Sequence, residues 1–530
     1  MAIRFKFSRS QIPAEFSAWR YDRQRSWQRN PGGESLEFAI SSESRFFVKR
    51  RRIGGVMKVL FIAMPDNASC FDRVMKMPNL GICSVAGSLP ADVDVKILDL
   101  TLKNQKISRT VSEIVKEFQP DVVGLSAMSF QFQTATRLAR VIKEVAPKTK
   151  IAVGGYHATL LYKEIAESED AEFIDFIVRA EGEPIFRQLI ERLKEGEKED
   201  FAGIAGLSYK NGGYHHNMEA PLVDVRKLPL PRRDVRILNN FHYLKRSFDC
   251  SETTRGCTFP CTFCSITRMY GKTFREFPIE RIIEDLTILK KRGTWGVFFV
   301  DDNITLNVTR MKVLCEEIIR HNLNTIDYLT QATVIGIAAD PELANLMGRA
   351  GFKFVFLGIE SGNKRNLELF KKSHICAKTR QAVQYLQKNN IIVLGGFIVA
   401  NPADDAEDVK AVFNYCLEIG VDHPIIQTLT PYPKTPMREE LLKMDLVVNK
   451  DDLKRYNGFI ANVKTEHLSI DQINRLMVIE GTKLYWHPKY LARSRFWRYH
   501  GLGSIGLLYN NYLFFKTGMK GDLFLSSHTF

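Results

Sequence analysis

The chain has 530 residues, 45% hydrophobic and 25% charged. These are ordinary globular values, which exclude a collagenous, coiled-coil or wholly disordered chain, and the length suggests about three domains. The formal charge of +15 is unevenly placed: residues 1–56 carry +7 and residues 481–530 carry +6, leaving +2 for the chain between. A nucleic-acid enzyme would carry its basic face within the folded part, so no nucleic-acid partner is expected. The longest apolar run, 391–400 (IIVLGGFIVA), has the length of a buried strand and not the roughly 20 residues of a membrane span. The N-terminus lacks the apolar core of a secretory signal.

Residues 1–56 show no sustained period and read as a basic extension; Met57 is an alternative start. A buried-strand run opens at Met57-Lys-Val-Leu-Phe-Ile-Ala-Met-Pro65. Strands are expected at 58–63, 94–99, 121–126, 150–154 and 173–178, with helices at 110–118 and 134–145 between them. That rhythm, over 57–195, is a doubly wound parallel sheet, whose ligands sit at the carboxyl ends of the strands. Residues 196–246 read as a linker carrying a hairpin around Asn211-Gly212-Gly213, followed by Leu228-Pro-Leu-Pro231. The adjacent His215 and His216 would point to opposite faces of a strand, so they read as solvated and not as a metal pair. Over 247–436 a second alternation appears. Its strands lie near 248–254, 296–301, 328–334, 353–359, 391–399 and 424–430. Its helices lie near 278–292, 309–321, 340–350, 363–371, 378–388 and 405–419. Six such units make a barrel two short of eight. Residues 437–530 form a helical extension that ends aromatic and basic.

Nine cysteines in this length do not make a disulfide scaffold, and the compartment reads as reducing, hence cytoplasmic. Cys70, Cys83, Cys250, Cys315, Cys376 and Cys416 are scattered and read as small buried hydrophobes or unpaired thiols. The other three stand in Thr254-Arg-Gly-Cys257-Thr-Phe-Pro-Cys261-Thr-Phe-Cys264. Three thiolates in eight residues, on a loop with Gly256 and Pro260, can converge on one iron–sulfur cluster or zinc ion. A fourth coordination position is left for an outside molecule, or for a distant His if the metal is zinc.

This spacing after a strand resembles the radical S-adenosylmethionine enzymes. The resemblance implies that Cys257, Cys261 and Cys264 hold a 4Fe–4S cluster and that S-adenosylmethionine chelates its fourth iron. An electron from the cluster then cleaves the sulfonium to a 5′-deoxyadenosyl radical, which takes hydrogen from a substrate. It also implies a partial six-unit barrel and an electron donor such as flavodoxin or ferredoxin. Phe263 matches the aromatic near the adenine. Asp301 and Asp302 match polar groups near the amino-acid end of S-adenosylmethionine. Gly358-Ile-Glu360-Ser361-Gly362 matches the fourth-strand stretch, and Gly395-Gly396-Phe-Ile398 the fifth. The fifth-strand motif departs afterwards: Ala400-Asn-Pro-Ala403-Asp404 stands where Gly-x-Pro-Gly-Glu is expected. Thr430–Pro436 matches the segment after the sixth strand. Paired acids after an apolar strand are hard to explain as caps, whereas Asp340-Pro341 is one. No catalytic side chain is assigned.

Upstream, Pro78-Asn-Leu-Gly81, Gly154-Gly-Tyr-His157 and Val178-Arg-Ala-Glu181-Gly-Glu183 resemble the cobalamin-binding subclass. Small residues at strand ends, Ser126, Gly154 and Gly155, would leave room for a long cofactor tail; the two glycines equally suit a tight turn. The cobalt-ligating Asp-x-His-x-x-Gly pattern is absent, and the corresponding loop reads Asp72-Arg-Val-Met75. Cobalamin without a His ligand is expected, the alternative being a relic domain. The resemblance implies C-methylation of an unactivated carbon, with cyclisation as the alternative. A cobalamin or metal sensor and an RNA methylthiotransferase fit less well: the first needs no S-adenosylmethionine pocket and the second needs more N-terminal cysteines. Twelve aromatics and seven Lys/Arg in 481–530 suit either an aromatic cap on the barrel or peripheral contact with an anionic membrane. The second suits a hydrophobic, lipid-like substrate.

Overall fold

The computed structural model describes residues 56–65, 75–103, 105–196 and 200–501. The basic extension up to residue 55, Cys70, Asp72 and the tail from 502 lie outside them.

The first sheet contains β1 (Lys58–Ala63), β2 (Asp94–Asp99), β3 (Val122–Ser126), β4 (Lys150–Gly154), β5 (Phe176–Val178), β6 (Leu207–Lys210) and β7 (Tyr214–His216), in the order β2-β1-β3-β4-β5-β6-β7. The first five are parallel. In β1, Val59 and Phe61 pack under the helices Leu80–Gly87 and Gly182–Glu195, while Leu60 and Ile62 pack under Ile107–Phe118 and Phe132–Val145. Both faces are covered, which is why the strand reads as one unbroken apolar run. Two expectations shift. The strand expected over 173–178 starts at Phe176, because Glu169–Phe173 is a turn of 3-10 helix. The hairpin expected in a linker instead extends the first sheet antiparallel to β5, burying Leu207 and Tyr209 in its core. His215 and His216 are exposed on it.

The second sheet holds β8 (Arg246–Ser251), β9 (Gly296–Phe299), β10 (Asp327–Thr333), β11 (Phe352–Glu360), β12 (Ile392–Val399) and β13 (His423–Thr428), all parallel, in chain order. β8 and β13 are its two ends, so the barrel is open. The β8 edge carries two short antiparallel strands, His242–Tyr243 and then Met75–Lys76. The segment after β1 thus pairs with the barrel, and the two sheets are stitched together.

Helices Ile279–Lys291, Val308–Arg320, Pro341–Arg349, Thr379–Lys388 and Ala406–Ile419 cover the outside of the barrel. Asp340 caps its helix by accepting from the Glu342 N–H at 2.9 Å. Burial alternates along β10 and β13: Tyr328, Thr330, Pro424 and Ile426 are buried, while Asp327, Leu329, Gln331, His423, Ile425 and Gln427 keep accessible surface. The second set lines a lumen that side chains do not fill, unlike the packed interior of a closed eight-strand barrel. Below the strands' amino ends, Tyr490, Phe496 and Trp497 pack against Phe354 and Ile392. That is the cap expected of the aromatic segment, for the residues described. No helix among the described residues is long and apolar enough to cross a membrane.

Candidate active site

The cysteine loop leaves the carboxyl end of β8. Thr254–Arg255 pairs antiparallel with Arg275–Glu276. Gly256 follows at φ +88°, and a Cβ there would lie 2.4 Å from the Thr273 carbonyl oxygen, so only glycine fits. Cys257, Cys261 and Cys264 then stand half-buried on one short loop. Burial pushes all three thiols up, Cys264 to about 12; Lys372 pulls Cys257 and Cys261 back, while Asp302 and the other two cysteines push Cys264 the same way as burial. Metal binding would displace their protons. Among the described residues no three His, Cys, Asp or Glu side chains close at single-ion spacing. Three thiols on one loop are the ligand type an iron–sulfur cluster takes.

Asp301 and Asp302 follow β9. Asp301 is buried and accepts from the Thr253 N–H (3.1 Å), the Thr253 Oγ1–H (2.6 Å) and the Thr254 Oγ1–H (2.6 Å). Both its oxygens are committed to the root of the cysteine loop. Asp302 accepts from the Gly256 N–H at 2.9 Å, and burial pushes its carboxyl up to about 6. The expected pair of cofactor contacts thus divides: Asp301 fixes the loop, and Asp302 faces a cavity.

Glu360 ends β11 at φ +64°, where the register with β12 slips. Its Oε1 accepts from Lys372 Nζ at 2.6 Å. Lys372 is buried and its ammonium stands 5.9 Å from the Phe263 ring centroid. Burial opposes its charge; Glu360 and the cysteine sulfurs outweigh that and hold the ammonium above its ordinary range. Phe263 packs edge-on against Phe370 at 5.2 Å. Ser361 Oγ accepts from the Asn363 N–H at 3.0 Å and closes the turn. The space over Gly396 is filled: a Cβ there would lie 2.4 Å from Phe356 Cζ. Gly396 therefore seats an aromatic ring on the side its Cβ would take. In the divergent stretch, Ala400 takes φ +62°, a glycine conformation. Asp404 turns inward to accept from the Asn401 N–H and Arg365.

Ser126, Gly154 and Gly155 line a cavity of about 350 Å³ at the carboxyl ends of β1, β3, β4 and β5. Gly155, at φ +95°, lets the loop after β4 approach Ala127, where a Cβ would sit 2.8 Å from the carbonyl oxygen. A Cβ on Gly154 would meet only Val178, at 3.7 Å, so Gly154 opens on the cavity and Gly155 makes the turn. This glycine-lined space suits a cofactor tail lying along backbone. Its far wall is the barrel's Glu252, Arg255, Tyr270 and Asp302. Arg255 donates to Glu252 (2.9 Å), Glu181 (3.0 Å) and Glu183 (2.8 Å). Glu181 also accepts from Arg275 at 2.6 Å. A small cavity of about 110 Å³ shares Asn79, Gln131 and Val300 with the first, and Met77 and Phe298 with a third. That third cavity, about 450 Å³, is the unfilled barrel lumen. Arg255, Glu181 and Glu183 stand in motifs whose sequence announces no role for them, and Lys372, beside Lys371, reads in the sequence as solvated charge.

Residues 71–190 match the B12 binding domain family and residues 251–416 the radical SAM superfamily. A Pyrococcus horikoshii protein known as an uncharacterised methyltransferase is 30% identical over 451 residues, 84% of this chain and 96% of that one. The chain belongs to the cobalamin-binding radical S-adenosylmethionine family. This member of the family is an enzyme whose cofactors are a 4Fe–4S cluster, S-adenosylmethionine and cobalamin. The anaerobic magnesium-protoporphyrin IX monomethyl ester cyclase of Rubrivivax gelatinosus is 25% identical over 410 residues, 76% of this chain and 72% of its own. The hopanoid C-3 methylase of Methylococcus capsulatus is 27% identical over 390 residues, 72% and 71% of the two chains. Two solved structures share the family fold. TsrM of Kitasatospora setae, a methyltransferase with cobalamin and the cluster bound, has TM-score 0.62 at 18% identity, covering 74% of this chain and 78% of that one. OxsB, with aqua-cobalamin and S-adenosylmethionine bound, has TM-score 0.64 at 16% identity, covering 88% and 80%.

Proposed function

We propose that this enzyme transfers a methyl group from cobalamin to an unactivated carbon of a hydrophobic, lipid-like small molecule. The observation that carries the reading is the line of three cavities, from the glycine-lined strand ends past Asp302 to the barrel lumen. When bound, the three cofactors supply a methyl donor and a radical that removes hydrogen from substrate. In this reading Cys257, Cys261 and Cys264 hold the cluster, and Asp301 and Gly256 set the loop's exit. Glu360, held by Lys372, keeps a second carboxylate oxygen for the amine of S-adenosylmethionine; Asp302, Ser361 and Phe263 complete that side. Ser126, Gly154 and Gly155 bed the cobalamin tail, with no histidine on cobalt. The aromatic lumen favours an apolar substrate and excludes water from a radical.

The enzyme would draw single electrons from a flavodoxin or ferredoxin in the cytoplasm. Peripheral contact of 481–530 with an anionic membrane rests on its basic charge and on Trp486, half exposed, since Tyr490, Phe496 and Trp497 are committed to the barrel. Co-sedimentation with anionic vesicles at low salt, compared with a chain ending at 480, checks that contact.

Anaerobic reconstitution with iron, sulfide and hydroxocobalamin tests the main reading. The protein should retain corrin and form 5′-deoxyadenosine and a product one methylene heavier. Replacing all three cysteines by Ala should abolish iron binding and S-adenosylmethionine cleavage. Iron and 5′-deoxyadenosine persisting in that variant, or corrin lost from the intact protein, would overturn it. A product that has lost hydrogens and gained no carbon would mark ring closure instead.

A further inference from the structure

The lumen cavity runs from the strands' amino ends, at Trp295, Asp327 and His423, up to Gln331 and Gln427. Its volume of about 450 Å³ falls within the range of small-molecule sites, about 300–1,000 Å³. Phe298, Leu329, Phe354, Phe356, Leu394 and Ile425 make its walls. Few polar side chains line it, among them Asp327, Gln331, Gln427 and the Trp497 indole, whose Nε1 has no hydrogen-bond partner among the described residues. Asp327 accepts from the Tyr499 hydroxyl, and Gln331 donates to the Asp301 carbonyl at 3.3 Å.

His423 differs. Its ring stacks on Phe496 (4.3 Å between centroids) and on Tyr485 (5.5 Å), and its Nδ1 meets the Tyr490 hydroxyl at 2.9 Å. Its Nε2 makes no hydrogen bond among the described residues. The residue keeps some accessible surface and lines the cavity. Burial pushes His423 down to about 3, so it is neutral and offers one hydrogen bond. An anionic ligand end would be buried there without an opposite charge and in the same cavity as the Asp327 carboxylate, which is costly; a neutral hydroxyl or carbonyl would be satisfied. His423 also begins β13, which runs five residues further to Thr428 at the carboxyl end. At about 3.3 Å per residue and a tilt of roughly 36°, the floor lies on the order of 13 Å below the mouth.

We infer that the barrel floor is a specificity subsite: His423 takes a neutral hydroxyl or carbonyl group, the apolar walls take a hydrocarbon body, and the reacting carbon stands at the far end. This rests on the reading that substrate occupies the barrel. It explains why radical chemistry is needed, because a carbon that remote from any functional group is not activated.

The test uses reconstituted full-length protein without turnover, read by fluorescence of Trp295 and Trp497, which line the cavity. The probes are 1-decanol, decane and decanoate. Decanol should bind about fivefold tighter than decane, the worth of one net hydrogen bond, and decanoate weakest. His423→Phe should abolish the decanol preference and keep decane affinity. Ile425→Trp, or Leu394→Phe if that variant loses its corrin, should weaken both neutral probes at least tenfold. Equal binding of decanol and decane to the intact protein, or a preference surviving in His423→Phe, would overturn the subsite. So would filling variants that change nothing. The preference standing in a protein that cleaves no S-adenosylmethionine would strike the methyl-transfer reading and leave the subsite intact.

Discussion

Glu360 and Lys372 form an ion pair that water barely reaches, 2.6 Å apart. Gly358 makes the space, since a Cβ there would stand 2.9 Å from Glu360 Oε1 and 3.2 Å from Lys372 Nζ. Breaking a buried pair leaves a charge uncompensated, whereas replacing both partners by apolar groups can be neutral. Lys372→Met should therefore cost about 3–5 kcal/mol in urea unfolding of the cluster-free protein, and Glu360→Met with Lys372→Met should recover most of it. If the double variant is no more stable than the single, the pair is not what holds Glu360 in place. At this scale the sequence showed which residues cluster more than what each does. Three cysteines in eight residues and two acids after an apolar strand were visible as a pattern. That Asp301 serves Thr253 and Thr254 was not, because the partners are nearly fifty residues apart and meet only when β8 and β9 pair. That Gly396 lies under Phe356 depends likewise on the β11–β12 register.

The turn Glu181-Gly182-Glu183 begins the helix Gly182–Glu195 of the first sheet and grips Arg255, two residues before Cys257. One guanidinium thus sets the cysteine loop relative to the glycine-lined cavity. Arg255→Met would leave Glu181, Glu183 and Glu252 facing one another without it. The expected result is uncoupling: 5′-deoxyadenosine still forms, but product per 5′-deoxyadenosine falls at least tenfold, with corrin and iron both retained. An unchanged ratio would reduce Arg255 to a structural brace. The elements themselves were legible because each is buried in a way that marks its sequence. β1 is covered on both faces and reads as a continuous run, while β10 and β13 alternate. The hairpin was legible as a hairpin, but its place in the sheet was not, since the pairing of β6 with β5 is a long-range event.

Across the molecule, three enclosed histidines govern the acid side of stability. Burial pushes His423 to about 3, His157 to about 4 and His500 to about 4. The unfolded chain titrates them near 6.5, so between that pH and their folded values it binds more protons than the native state. Stability then rises with pH and is lost as pH falls. The urea midpoint of the cluster-free protein should drop from pH 6.5 to 4.5, and His423→Phe should remove on the order of 2–3 kcal/mol of that dependence. A midpoint flat over this range would show the rings are already hydrated or charged. Burial of this kind is a tertiary property; nothing local in His-Pro424 or Tyr-His157 announces it. The lumen was equally hidden, because strands alternate in the same way around a filled barrel and an empty one.

The unfilled lumen also makes this a compressible protein. Voids eliminated on unfolding lower the volume of the unfolded state, so hydrostatic pressure favours unfolding. The ligand-free enzyme should therefore unfold at moderate pressure, with the barrel's tryptophans reporting the transition. Occupying the space with 1-decanol should move the midpoint upward at constant temperature. A Leu394→Phe barrel, part of its space filled by its own side chain, should resist pressure even without a ligand. The room kept for a substrate would then be measurable in millilitres per mole, with no turnover at all.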